Sequence, residues 1–356
     1  MSQPLAWLKE LVALPGPPGE EEAVRGWISA QVAELGFDSR CDAKGNLLVD
    51  VSPPGSVGPT ILVTAHLDEI ALMVTRVEDD GTLKVAATGG AYPWKWGEGP
   101  VQILAPQGPI DAILSFGSIH TNAEDSPAEH ARRNPLTWDR VWLFTGRTHG
   151  QLVELGVRPG LRVVLGPSRR SVTEFAGCVA SCFLDDRADL VSWLLLLNRL
   201  REAPAAGRLV FAATASEEVG GDGAQYLLTR LHCDICVALE IAPITPEAQF
   251  GVDSNPVVWV RDGYAAMEAQ DGAIIERCAS RAGIDIHWQY LSRGGSDASC
   301  AAARGLVARP VTLGMPVENS HGFEIMHADA PERLAALAHA YLLAVGSVAA
   351  PGGVEA

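Results

Sequence analysis

The sequence has no apolar run long enough to cross a membrane. Its longest, LVSWLLLL at 190–197, falls far short of the roughly 18 residues a spanning helix needs. The first residues, MSQPLAWLKELVALPG, have no basic start followed by an apolar stretch, so no targeting segment is read there. The expectation is a soluble, cytoplasmic protein that makes no membrane contact. Positive charge is scarce. Lys and Arg number 27 against 43 Asp and Glu, a formal net charge of −16. Such a chain has no general electrostatic attraction for nucleic acid or anionic lipid. A disulfide pattern is missing too. The seven cysteines (Cys41, Cys178, Cys182, Cys233, Cys236, Cys278 and Cys300) are odd in number and scattered, which suits reduced thiols. Cys233 and Cys236 form a CxxC, but strand-like VALEIA follows it instead of a helix start. Buried structural thiols are therefore expected there, not a redox pair. Two catalytic signatures are absent: there is no HExxH helix for a single zinc and no GxSxG nucleophile elbow. There is no internal repeat and no low-complexity segment.

What is present is core-forming material with an α/β rhythm. The chain has 356 residues, 47% of them hydrophobic, ample for one large or two medium domains. Segments 5–14 and 19–36 read as helices broken by PGPPG, and 45–51 and 60–66 as strands. From about 71 to 166 the texture becomes short strand-like pieces between turns, from ALMVTRV to LRVVLG. Within it the polar stretch 120–135 is expected to be a mobile loop. From about 175 helices and strands alternate again, which implies a mainly parallel sheet covered by helices. The fold class is therefore α/β: a mixed, mainly parallel sheet flanked by helices, with an inserted small β-barrel-like domain. The expected boundaries are 1–70 and 167–356 for the α/β domain and 71–166 for the insertion.

Ligands of open α/β sheets sit outside the carboxyl ends of the strands. There the sequence repeatedly delivers histidine or carboxylate. TILVTA leads into His66, Asp68 and Glu69, RLVFAATAS into Glu217 and Glu218, and CVAL into Glu240. The strand at VARPVTLG leads on to His321, and Asp185 and Asp186 stand ahead of a long helix. Two histidines with several carboxylates suit zinc or a similar divalent ion. Carboxylates beyond one ion's needs suggest two ions. Metal charge would offset the repulsion between adjacent Glu217 and Glu218. Residues two apart on an extended segment point to one side, so Asp68 is placed to accept the second ring N–H of His66. Ser296 in GGSDAS leaves a Ser-His-Asp reading open beside ordinary helix capping. His120, His130 and His149 are expected on a solvated surface. Trp94 and Trp96 read either as a substrate or subunit contact or as core of the insertion. Asp186 and Arg187 are expected to support the site or cap the helix.

The set as a whole resembles the dinuclear-metal aminopeptidases that form tetrahedral particles, a family also described as glutamyl or deblocking aminopeptidases and as endoglucanase-like proteins. The resemblance rests on DAKGNLLV (42–49), AHLDEIALMV (65–74), LDDRADL (184–190), ASEEVGGDGA (215–224), LEIAP (239–243), SRGGSDASCAAARG (292–305) and NSHGFE (319–324). It extends to GSIH and LGVRPGLRV in the insertion. It implies that His66, Asp185, Glu218, Glu240 and His321 bind metal, with Asp185 bridging two ions. It implies that Glu217 is the general base acting on a bridging water, and that Asp68 orients His66 and counts with the catalytic residues. It further implies two divalent ions per chain (zinc first, cobalt or manganese also suited), peptide substrates cleaved from the N-terminus, and a tetrahedral dodecamer, the insertion acting as lid or oligomerisation element. The chain departs from the family pattern with Glu240 in place of Asp, HGFE without the usual proline, and LFTG where an Asp-containing strand is usual. Three other readings stand beside this one. One is a two-metal hydrolase of another amide, N-acyl or carboxy-terminal. Another is an inactive metal-binding scaffold. The last is a glycosidase, whose paired carboxylates need no metal.

Overall fold

Four strands carry almost unbroken apolar side chains: Thr60–His66, Arg208–Thr214, Ile235–Pro243 and Arg309–Val317. That pattern belongs to strands covered on both faces. In the computed structural model, which describes residues 2–53 and 55–347, these four form the parallel centre of an eight-stranded sheet. Strands Leu47–Asp50 and Arg40–Cys41 extend one edge antiparallel. Val257–Arg261 extends the other edge antiparallel, and His287–Tyr290 runs parallel to it.

Side chains alternate between two cores. Ile61, Val63, Phe211 and Val237 face Trp193, Leu194, Leu337 and Tyr341 of the helices Leu184–Glu202 and Ala330–Gly346. Leu62, Val210, Cys236 and Ala238 face Leu227, Ala298 and Ala301 of the short helices Asp222–Leu228 and Asp297–Ala302. The register sets the site. Thr214 pairs with His66, and Ala238 pairs with Thr64, so His66 and Glu240 leave the sheet at the same level, two residues beyond that last pair.

The β-rich segment closes into a six-stranded antiparallel barrel: Ala71–Val77, Leu83–Thr88, Gly99–Ala105, Gly108–Ser115, Trp142–Phe144 and Arg162–Leu165. It has a core of its own around Leu72, Leu83, Ile103, Leu143 and Val163. Closure leaves it no free sheet edge. The stretch 120–135 is not wholly irregular, because Pro127 opens a short helix, Pro127–Ala131, that buries Ala128. Two features went unread in the sequence. One is the edge strand Val257–Arg261. The other is a three-stranded antiparallel sheet of Thr173–Phe175, Cys178–Ser181 and Glu324–His327. The latter pairs Ser181 with Glu324, which brings the chain entering Asp185 against the chain leaving His321. All seven cysteines are free thiols. Burial pushes the Cys233 thiol up to about 12, so the CxxC is an inert packing element.

Candidate active site

His66 is the last residue of its strand and is 2% exposed. Its Nδ1 lies 3.1 Å from the Asp68 backbone carbonyl, with the Asp68 carboxylate at 3.4 Å. A carbonyl only accepts, so Nδ1 carries a hydrogen and Nε2 is the atom turned to the site, where it donates to a carboxylate while the ring is protonated and would offer a lone pair to a cation that took the proton's place. That Nε2 lies 3.0 Å from Asp185 Oδ1. On the other side of Asp185, His321 repeats the arrangement. Its Nδ1 lies 3.0 Å from the Gly90 carbonyl, and its Nε2 lies 3.5 Å from Asp185 Oδ2. Both imidazoles are thereby oriented with Nδ1 on a backbone carbonyl and Nε2 inward, the orientation a metal ligand needs.

The Asp68 carboxylate has two further acceptor roles. It takes the backbone N–H of Glu217 at 2.8 Å and of Glu218 at 3.1 Å. Beneath it, the fully buried Glu69 carboxylate binds both Arg170 and Arg187. Arg187 also donates to the Leu67 carbonyl at 2.5 Å. This buried cluster fixes the turn that follows His66, and Arg187 acts on the site through the backbone of that turn. Glu324 closes the opposite side, where one carboxylate accepts the backbone N–H of Asp185 at 3.1 Å and of His321 at 2.8 Å. The sequence reading gave Glu324 no role. Its signal was its place three residues after His321.

Two groups of donor atoms result. One atom each from His66, Asp185, Asp186 and Glu240 lies within 4.8 Å of the others, and so do atoms of Asp185, Glu218 and His321. Asp185 belongs to both groups. Asp186 joins the first although it was expected only as support. Its Oδ2 accepts the His66 backbone N–H at 2.6 Å, while Oδ1 is buried without a hydrogen-bond partner. Among the described residues none of these carboxylates is ion-paired to a Lys or Arg side chain, and the charged partners of Asp185 and Glu218 are the two histidines.

The electrostatics follow from that absence. Burial, with the charges of Asp185 and Glu217, raises the Glu240 carboxyl well above the usual range. Burial and the Asp185 charge raise Glu218 to about 7, against the pull of His321. Burial of Asp185 is outweighed by its hydrogen bonds to His321 and His66, which hold it below the ordinary range. Burial would lower His321, but the nearby Glu218 and Asp185 charges lift it to about 11. Crowded buried carboxylates of this kind are stabilised in ionised form by a cation. Imidazole nitrogen and carboxylate oxygen are the donors that zinc and similar divalent ions take. The donor set is a candidate metal site.

Asp185, Glu217, Glu218, Glu240 and His321 line one cavity of 340 Å³. Burial in its wall raises the Glu217 carboxyl well above the usual range, helped by the charges of Asp297, Glu218 and Asp68. The cavity is also lined by Trp259, Tyr264, Leu291 and Arg293, none of which the sequence reading assigned to the site. Ser296 is fully buried and caps the helix that follows. Its hydroxyl lies 2.7 Å from that of Thr312 and has no histidine among its described partners. That geometry removes the Ser-His-Asp reading. His120, His130 and His149 stand in or beside the barrel, outside both donor groups. Trp96 belongs to the core of the barrel at 4% exposure, whereas Trp94 is 62% exposed.

Residues 45–337 match the model of the M42 glutamyl aminopeptidase family. The chain is 22% identical over 327 residues to a glutamyl aminopeptidase of Lactococcus lactis, covering 89% of each chain. It is 23% identical over 236 residues to a lysyl aminopeptidase of Pyrococcus furiosus, covering 66% of this chain and 65% of that one. Among solved structures it resembles the TET1 peptidase of Pyrococcus horikoshii, which can assemble into a tetrahedron or a large octahedral shell. That likeness has a TM-score of 0.84 at 25% identity and covers 95% of this chain and 98% of that one. A catalytic-looking cavity with two His/Asp/Glu donor groups and a family match over most of its length lead to one conclusion: the chain belongs to the M42 glutamyl aminopeptidase family and is a peptide hydrolase.

Proposed function

We propose that the chain removes N-terminal residues from peptides with two divalent ions per subunit. The observation that carries the reading is Asp185, one carboxylate shared by two donor groups on the floor of one cavity. His66, Asp185 and Glu240, with Asp186 alongside, would hold one ion, and Asp185, Glu218 and His321 the other. Zinc is the first choice, with cobalt and manganese also compatible with these donors. Divalent ions bound there lower the pKa of water and polarise a carbonyl. Glu217, in neither donor group, is the general base. Its raised pKa suits a group that takes a proton from water and then hands it to the leaving amine. Asp68 contributes by fixing the backbone of Glu217 and by sharing the turn that orients His66.

The division into a catalytic α/β domain (1–70 and 167–356) and an inserted barrel domain (71–166) is part of the same reading, as is a cytoplasmic location. Assembly into a homo-oligomer, with a tetrahedral dodecamer as the specific form, is supported by the assemblies of its structural relatives. Among the described residues no helix is long and apolar enough to cross a membrane.

A panel of peptides with free, acetylated and N-acyl termini tests the activity. Hydrolysis confined to free N-termini is expected. Preference for the blocked or acylated members would instead support the other-amide reading.

A further inference from the structure

The barrel segment between strands Leu83–Thr88 and Gly99–Ala105 reaches the candidate metal site, where Gly90 lines the cavity. That segment is anchored on the barrel side. Trp96 is buried and packs edge-on against Trp138, with ring centroids 6.2 Å apart, and the Trp138 indole donates to the Ala91 carbonyl at 2.9 Å. From this anchored base two groups face the loop that carries His321. The Gly90 carbonyl accepts the His321 Nδ1 hydrogen at 3.0 Å. The half-buried Lys95 donates to Asn319 Oδ1 at 2.5 Å, the Ser320 carbonyl at 3.2 Å and the Asn319 carbonyl at 3.4 Å.

The loop needs such support. Asn319 and His321 both adopt left-handed backbone, with φ of 64° and 60°, a conformation uncommon for non-glycine residues even though asparagine and histidine take it more readily than most, so neighbouring hydrogen bonds help to fix it. Close contact leaves no slack at Gly90 either. A Cβ there would stand 2.5 Å from His321 Nδ1.

We infer that Lys95 is a positioning residue. With the Gly90 carbonyl, it makes the barrel a fixed part of the metal position that His321 completes, whereas the described hydrogen bonds of His66 go to Asp68, Asp185 and Asp186, outside the barrel. This rests on the two-metal reading.

The test is titration of metal-stripped protein with cobalt alone, followed by calorimetry and visible absorption. Wild type is expected to show two binding steps, and His321→Ala identifies the step that depends on His321. Lys95→Met should weaken that step about 10- to 100-fold, the usual effect of losing a group that orients a ligand, and leave the other step unchanged. The unchanged step also reports that the variant is folded. Lys95→Arg, which keeps a donor, should recover part of the loss, and Gly90→Ala should weaken the same step. A Lys95→Met protein with both steps at wild-type affinity, or with both weakened alike, overturns the positioning role. A wild-type protein that takes up a single ion overturns the two-metal reading beneath it instead.

Discussion

Replacing Glu217 with Gln is expected to lower kcat by about 10²- to 10⁴-fold, the range a positioned general base contributes, while metal content stays at the wild-type level. The separation follows from where Glu217 sits. Its backbone N–H is held by Asp68 at 2.8 Å, and it lines the cavity beside Glu218 and Glu240, yet it belongs to neither donor group. Glutamine keeps the size and the backbone contact but loses the charge and, with it, the ability to accept a proton. Metal analysis beside steady-state kinetics checks this. An active variant would return the base assignment to another carboxylate. An inactive variant that has also lost its ions would make Glu217 a ligand.

Asp185→Asn is expected to have a larger and different effect. Asp185 lies 3.0 Å from His66 Nε2 and 3.5 Å from His321 Nε2. It is the only residue common to both donor groups. The amide is nearly the same shape but carries no charge, and one of its two terminal atoms becomes a donor. Both ions should be lost, and with them several kcal/mol of transition-state stabilisation, roughly a thousandfold or more in kcat/KM. Mass spectrometry of the metal content under non-denaturing conditions, together with kinetics, gives the reading. Retention of one ion would make Asp185 a ligand to a single position.

The sheet centre was legible because doubly covered strands read as apolar runs, and His66, Glu217, Glu218 and Glu240 were legible because those runs end in them. The expected mixed sheet with its barrel is the architecture observed. Other parts depended on contacts far along the chain. Asp186 was read as support because its neighbour Asp185 accounts for the bridging position, and only the fold turns its carboxylate toward His66 and Glu240. The strand Val257–Arg261 has β-branched and aromatic residues between NP and DG, a strand's composition. It is short, though, and its place at the sheet edge depends on antiparallel pairing with Arg309–Val317, far along the chain. Gly90 and Lys95 act on residues 231 and 224 positions away. Nothing in TGGAYPWKW announces that its partners are a histidine and an asparagine near the other end of the protein. Pocket residues such as Tyr264 and Arg293 come together for the same reason, through the packing of loops that no spacing rule relates.

The measurement that tests the central claim most directly is hydrolysis of an aminoacyl anilide by the purified full-length protein after chelation, with zinc, cobalt or manganese then restored in measured amounts. Loss of activity on chelation, and its return as two equivalents per chain are added, is the predicted result. Hydrolysis that proceeds unchanged after chelation would contradict the account.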